Sequence, residues 1–288
     1  MLFEIVTDSS ANLPQAFIEE NNLHILSLSY YIEDEEFSSY IPGQKNDLTY
    51  FYEKLNSKAH IRTSLVNVEK ATAYMGELMK EKKDILYIGF SSGLSGSFQS
   101  VSLAASDLQE TYQDSKIRCV DTLGATLGEG LLVYYACKLR NEGKTMEETA
   151  AWLEENKLNM CHWFTVDDLF FLKRGGRIST VAAVFGSALS IKPVMNMDNE
   201  GHLKVYGKAR GRKKALDELF HQMKESVKEP ENQVFGIAHA DCEEDALYMK
   251  EKMMELNPKD IMLEALEPVI ASHTGPGCLA IFFFGEKR

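Results

Sequence analysis

Ile88-Gly89-Phe90-Ser91-Ser92-Gly93-Leu94-Ser95-Gly96-Ser97-Phe98-Gln99-Ser100 decides the fold. An apolar run over 85–90 enters a serine- and glycine-rich loop. Val101, Leu103, Ala104 and Leu108 then recur at roughly helical spacing, so 97–108 is expected to be a helix. Similar apolar runs at 3–6, 25–31 and 117–120 read as buried strands. Helical patterns at 14–20, 48–55, 68–81, 124–141 and 146–155 alternate with them. Such alternation predicts β-α-β units around a mostly parallel sheet.

The pattern changes after about residue 157. A strand is expected at 160–165, a turn at Arg174-Gly175-Gly176-Arg177 and a packed helix at 181–189. Residues 193–197 and 203–208 flank Asp198-Asn199-Glu200-Gly201, a hairpin signal. Helices at 213–227 and 243–255 and strands at 234–238, 261–265 and 279–284 complete an α+β part. The fold class is therefore α/β, with an N-terminal parallel-sheet part over 1–157 and a C-terminal α+β part over 158–288.

The 288 residues are enough for one large domain or two modest ones. Net charge is -12, which argues against a general binder of nucleic acid or anionic membranes. Residues 173–214 depart from this, with 10 basic side chains against Asp198 and Glu200. A basic island on an acidic chain marks a partner surface or a solvated face. Five widely spaced cysteines without C-x-x-C fit reduced thiols, and the N-terminus has no signal-peptide pattern. The expectation is a cytoplasmic protein.

The 91–97 loop before its helix carries two chemistries. Free backbone N–H groups at a helix start, with serine hydroxyls, suit a carboxylate or phosphate; the same serines could simply cap the helix. Gly89-Phe90-Ser91-Ser92-Gly93 also fits G-x-S-x-G, with Asp121 and His273 following in hydrolase order. However, Gly93-Leu94-Ser95-Gly96 separates Ser91 from the helix, and an elbow enters its helix directly. Thr7-Asp8-Ser9-Ser10 ends the first strand, where α/β ligand sites form and where a hydrogen-bonded turn is equally at home. His239-Ala240-Asp241-Cys242-Glu243-Glu244 lacks zinc-site spacing, and no metal is expected. No P-loop and no strand-borne G-x-G-x-x-G occurs, so no nucleotide cofactor is expected.

Taken in order, Thr7-Asp8-Ser9-Ser10, Thr63-Ser64, the 91–100 stretch, Asp167-Asp168-Leu169 with 172–179, Lys192-Pro193-Val194, Lys208-Ala209-Arg210-Gly211 and His273-Thr274-Gly275-Pro276-Gly277 resemble the DegV family of bacterial fatty-acid-binding proteins. The resemblance covers about 3–285. It implies a long-chain fatty acid in a buried tunnel between the two parts. It also implies a carrier without catalytic activity, which presents the carboxylate to a separate ATP-dependent fatty-acid kinase for phospholipid synthesis, with a transient membrane encounter. Thr63 and Ser95 match the carboxylate-holding positions, with Gly96, His273 and Thr274 contributing. Arg177 and Arg210 match basic positions for the kinase or membrane encounter. Where the family often has Thr-Ser-Gln-Pro, this chain has Thr63-Ser64-Leu65-Val66. The alternative is a serine hydrolase using Ser91, Asp121 and His273.

Overall fold

The computed structural model describes residues 3–44, 46–57, 59–178, 191–286 and 288. The helix expected at 181–189 lies outside them. The chain divides into two compact units, Met1–Asn46 with Arg62–Lys157, and Asp47–Ile61 with Leu158–Arg288. Residues 47–61, assigned by sequence to the first part, thus belong to the second unit.

In chain order the first stretch holds β1 (Glu4–Asp8), α1 (Gln15–Glu20), β2 (His24–Leu26), β3 (Ser29–Ile32) and β4 (Glu35–Ser38). Next, α2 (Leu48–Asn56) lies in the second unit. The chain returns with β5 (Ile61–Ser64), α3 (Val68–Lys80), β6 (Ile85–Gly89), α4 (Ser97–Thr111), β7 (Ile117–Asp121), α5 (Leu127–Asn141) and α6 (Met146–Asn156). The second unit adds β8 (Met160–Thr165), α7 (Phe170–Arg174), β9 (Ile191–Met197), β10 (Leu203–Arg210) and α8 (Arg212–Ser226). It ends with β11 (Val234–His239), α9 (Glu243–Met254), β12 (Asp260–Ala265), α10 (Pro268–Thr274) and β13 (Leu279–Phe284).

The first unit is built on a parallel sheet of order β2-β1-β6-β7. β6 is buried along its whole length, which explains its unbroken apolar run. The helices present apolar faces to the core; α3 buries Ala71, Met75 and Met79 at four-residue steps. Caps fix their starts. Asn67 accepts the Lys70 amide before α3, and Thr145 with Glu148 forms a capping box on α6.

The run expected as one strand at 25–31 is two, in different sheets. β2 joins the parallel sheet, while β3 lies between β4 and β5. Ser27 makes the break. Its hydroxyl donates to the Leu28 carbonyl and accepts the Tyr40 amide, and the Leu28 amide turns to the Ser9 hydroxyl. Such side-chain bonds compete with a continuous ladder. β4, β5, α7 and α10 were not expected from the sequence.

The second unit has a six-stranded sheet, β10-β9-β8-β13-β11-β12, antiparallel except for β11 with β12. The 198–201 hairpin is present between β9 and β10. Leu216, Phe220, Phe235, Met249 and Ile281 contribute to its apolar core. Among the described residues no disulfide occurs and no helix is long and apolar enough to cross a membrane.

Candidate functional site

The carboxyl ends of β1, β6 and β7 lie along one edge of the parallel sheet, and hydrogen bonds stitch their loops together. The Phe90 amide donates to Asp8 Oδ2 at 3.2 Å, and the Ser91 amide to the Gly124 carbonyl at 2.9 Å. The Ser92 and Leu123 amides donate to Asp121 Oδ1. Within the loop, the amides of Leu94 and Ser95 both reach the Ser91 carbonyl.

Ser97, at the start of α4, is fully buried and organises the next step. Its amide donates to Ser95 Oγ, and its own Oγ accepts the Val66 amide at 3.2 Å. The two hydroxyl oxygens are 3.0 Å apart. A buried hydroxyl must place its proton, and Ser95 Oγ is the only acceptor in reach of Ser97 Oγ among the described residues. Ser97 therefore donates to Ser95. That leaves the half-exposed Ser95 O–H without an acceptor among the described residues, free to donate outward. The amides of Gly96, Phe98 and Gln99 likewise have no acceptor there, as at any helix start without side-chain caps. One hydroxyl and several amides thus converge at the positive end of a 15-residue helix, a geometry that suits an anion.

Thr63, on β5, is half-buried, three residues before Val66. The link from Val66 to Ser97 joins its segment to the Ser95 loop. Leu65 packs over Gly96, where an added Cβ would come within 3.2 Å of Leu65 Cδ2.

In the second unit, Glu267 caps α10 by accepting the Val269 and Ile270 amides, and the helix ends with His273 and Thr274. Gly275 (φ +74°) and Gly277 (φ +76°) turn the chain into β13. The His273 ring lies against Gly175, where a Cβ would fall 2.3 Å from its Nδ1. Arg177 donates to the Gly175 carbonyl at 2.5 Å. Burial, then the charges of Arg177 and Arg174, lower the His273 pKa to about 4. The imidazole is neutral at neutral pH. Burial also lowers the Arg177 pKa. Thr274 is buried; Arg210 projects from the exposed side of β10 with Lys204, Tyr206 and Lys208. The structure brings Ser95 and Gly96 together in the first unit, and His273 and Arg177 together in the second.

The hydrolase residues have other occupations. Ser91 is fully buried, and its Oγ accepts the Gly93 amide. Both hydrogen bonds of Asp121 come from loop amides rather than from a histidine. A histidine with a pKa of about 4 is a weak base for a serine. His239 Nδ1 accepts the Cys242 amide, so that motif closes a turn. Asp198, Glu200 and His202 cluster at the hairpin tip, but Asp198 Oδ1 is already taken by the Glu200 and His202 amides.

The model of a family described as "Uncharacterised protein, DegV family" matches residues 2–286. The chain belongs to the DegV family. A DegV domain-containing protein of Clostridium perfringens is 44% identical over 289 residues, covering 99% of this chain and 98% of its own. A solved DegV family protein of Thermus thermophilus, described by its fatty acid binding, superposes with a TM-score of 0.89 at 28% identity, covering 99% of this chain and 100% of its own. DegV of Bacillus subtilis, described as a fatty acid binding protein, gives 0.84 at 28% identity over the same shares. The α/β architecture is thus that of the DegV proteins.

Proposed function

We propose that this chain carries a long-chain fatty acid and offers its carboxylate to a separate ATP-dependent fatty-acid kinase, with no chemistry of its own. The observation that carries this is the outward-facing Ser95 hydroxyl beside the open amides at the start of α4, in a fold shared with fatty-acid-binding DegV proteins. Ser95, Gly96 and Thr63 are one set of carboxylate donors, and His273 and Thr274 the other. The neutral imidazole of His273 can donate one N–H without placing a second buried cation beside Arg177.

Magnitudes favour a lipid over a small acid. About fifteen methylenes at roughly 0.8 kcal/mol each supply about 12 kcal/mol of gross transfer energy. Ordering the chain offsets a large part. The polar end then has to orient the carboxylate and satisfy it. Arg177 and Arg210 suit the phosphates of the kinase reaction or an acidic partner face.

Organic extraction of natively purified protein followed by mass spectrometry tests the reading. One equivalent of a long-chain acid supports it. A ligand-free protein that also refuses added fatty acid overturns it.

A further inference from the structure

Behind the 90–97 loop two carboxyl groups are buried side by side. Asp8 ends β1 and Glu129 lies in the first turn of α5, and both are fully buried. Ser10 bridges them. Its Oγ is 2.5 Å from Asp8 Oδ1 and 2.8 Å from Glu129 Oε2. Asp8 also accepts the Ser10 amide, the Tyr87 hydroxyl at 3.0 Å and the Phe90 amide at 3.2 Å. Glu129 accepts one more bond, from Thr7 Oγ1 at 3.1 Å.

Counting protons decides the state. The Ser10 hydroxyl has one proton and two carboxyl oxygens within reach. If both carboxyls were ionised, one of these short contacts would be oxygen against oxygen with nothing between. Asp8 has the shorter contact and the other donors, so Ser10 gives its proton to Asp8. The remaining contact needs a proton on Glu129, donated to Ser10 Oγ.

No cation offsets the pair among the described residues. The facing ionisable groups are Tyr87 on β6 and Cys119 and Asp121 on β7, all neutral or negative. Burial, then the neighbouring Asp8, pushes Glu129 well above the ordinary carboxyl range, against the bonds from Ser10 and Thr7. Burial also raises Asp8, against its hydrogen bonds.

We propose that Asp8 and Glu129 share one dissociable proton through the Ser10 hydroxyl, and that this proton positions the 90–97 loop by holding Asp8 against the Phe90 amide. Asp8 and Glu129 are positioning residues. In their bearing on ligand retention they rest on the fatty-acid reading; the proton and the loop do not.

The test therefore has ligand-free arms. At neutral pH the wild-type protein should show the infrared C=O stretch of a protonated carboxyl. Carbon-13 labelling of glutamate carboxyls should move that band, and Glu129→Gln should remove it. Above the pair's upper ionisation, hydrogen-exchange protection of the Phe90 amide should fall about tenfold per pH unit in wild type, as expected for one linked proton. Glu129→Gln, which keeps an acceptor and needs no shared proton, should show no such fall. A wild-type protein without the band, a band unmoved by the glutamate label, or equal pH profiles in the two proteins would each overturn the proposal. The label acts in the wild-type chain, so the assignment survives a variant that fails to fold. In a third arm, retention of a fluorescent long-chain fatty-acid analogue should follow the Phe90 profile. Retention unchanged by pH while Phe90 loses protection would overturn the link from proton to ligand. Failure to bind the analogue at every pH would instead remove the fatty-acid reading, leaving the infrared and exchange results to judge the proton.

Discussion

Ser97 gives its hydroxyl proton to Ser95 across 3.0 Å while accepting the amide of Val66. The Val66 bond thus ties the Thr63 segment to the Ser95 loop. Ser97→Ala should strand the buried Val66 amide and cost about 1–3 kcal/mol of stability, read by urea unfolding. Fatty-acid retention should fall with it. Ser95→Ala should weaken retention and also cost about 1–3 kcal/mol of stability, because Ser95 Oγ accepts the amide and the hydroxyl of buried Ser97. Unchanged retention in Ser95→Ala would remove it from the carboxylate site.

His273 should stay neutral in the ligand-free protein until the pH approaches about 4. The unfolded chain takes up this proton near the ordinary value of about 6.5. The contribution to stability is therefore full above that value and is lost as pH falls towards about 4. His239, also depressed by burial, acts in the same direction. The difference between wild type and His273→Asn isolates the one residue. Ring resonances followed by NMR give the titration directly. A bound carboxylate beside His273 should raise its pKa, and an identical titration with and without fatty acid would place the carboxylate elsewhere.

Charge reversal at Arg210, on the exposed side of β10, should leave fatty-acid retention intact and reduce acyl-phosphate formation by the kinase, whereas reversal at Arg177, beside His273, should change both. Extraction and mass spectrometry read the first, and kinase turnover the second. Equal turnover in the Arg210 variant would move the partner surface away from β10.

Gly277→Ala should destabilise by more than about 1 kcal/mol, because its φ of +76° strains any side chain. The new methyl would also fall 2.4 Å from Asp167 Oδ2, the carboxylate that pairs with Lys192 and Arg212. Thermal unfolding measures this, and a wild-type transition would show that the turn can relax.

The parallel sheet was legible because its strands are short apolar runs that end at polar loops. β4 escaped notice because Glu35, Glu36 and Ser38 surround its one large apolar residue, Phe37. α7 and α10 are only five and seven residues long, too short for periodicity to declare them. At the candidate site, Ser95 and Gly96 could be read from a strand–loop–helix pattern. Asp8 stood in a motif that fitted either a ligand site or a turn, and the structure turns it inward as the cap of the Ser9–Ala11 3-10 turn. Glu129 went unread, although an acid amid the apolar residues of Leu127-Gly128-Glu129-Gly130-Leu131-Leu132 was a usable signal. Gly89 ends β6 without a side chain. The cause is the Tyr87 ring, which lies where a Cβ would sit and which reaches Asp8 from there.

The excursion of residues 47–61 into the second unit makes that unit discontinuous in the chain. Phe51, Tyr52 and Leu55 of α2 are buried, yet residues 62–157 separate them in sequence from the rest of their unit. No single scission can then release two intact halves. After a cut at Lys157 the fragment 158–288 would lack the helix that packs on α10, and the fragment 1–157 would drag that helix along as an exposed, aggregation-prone appendage. On the ribosome α2 emerges long before its packing partners, so it must wait, exposed or held by a chaperone, while the intervening chain is made.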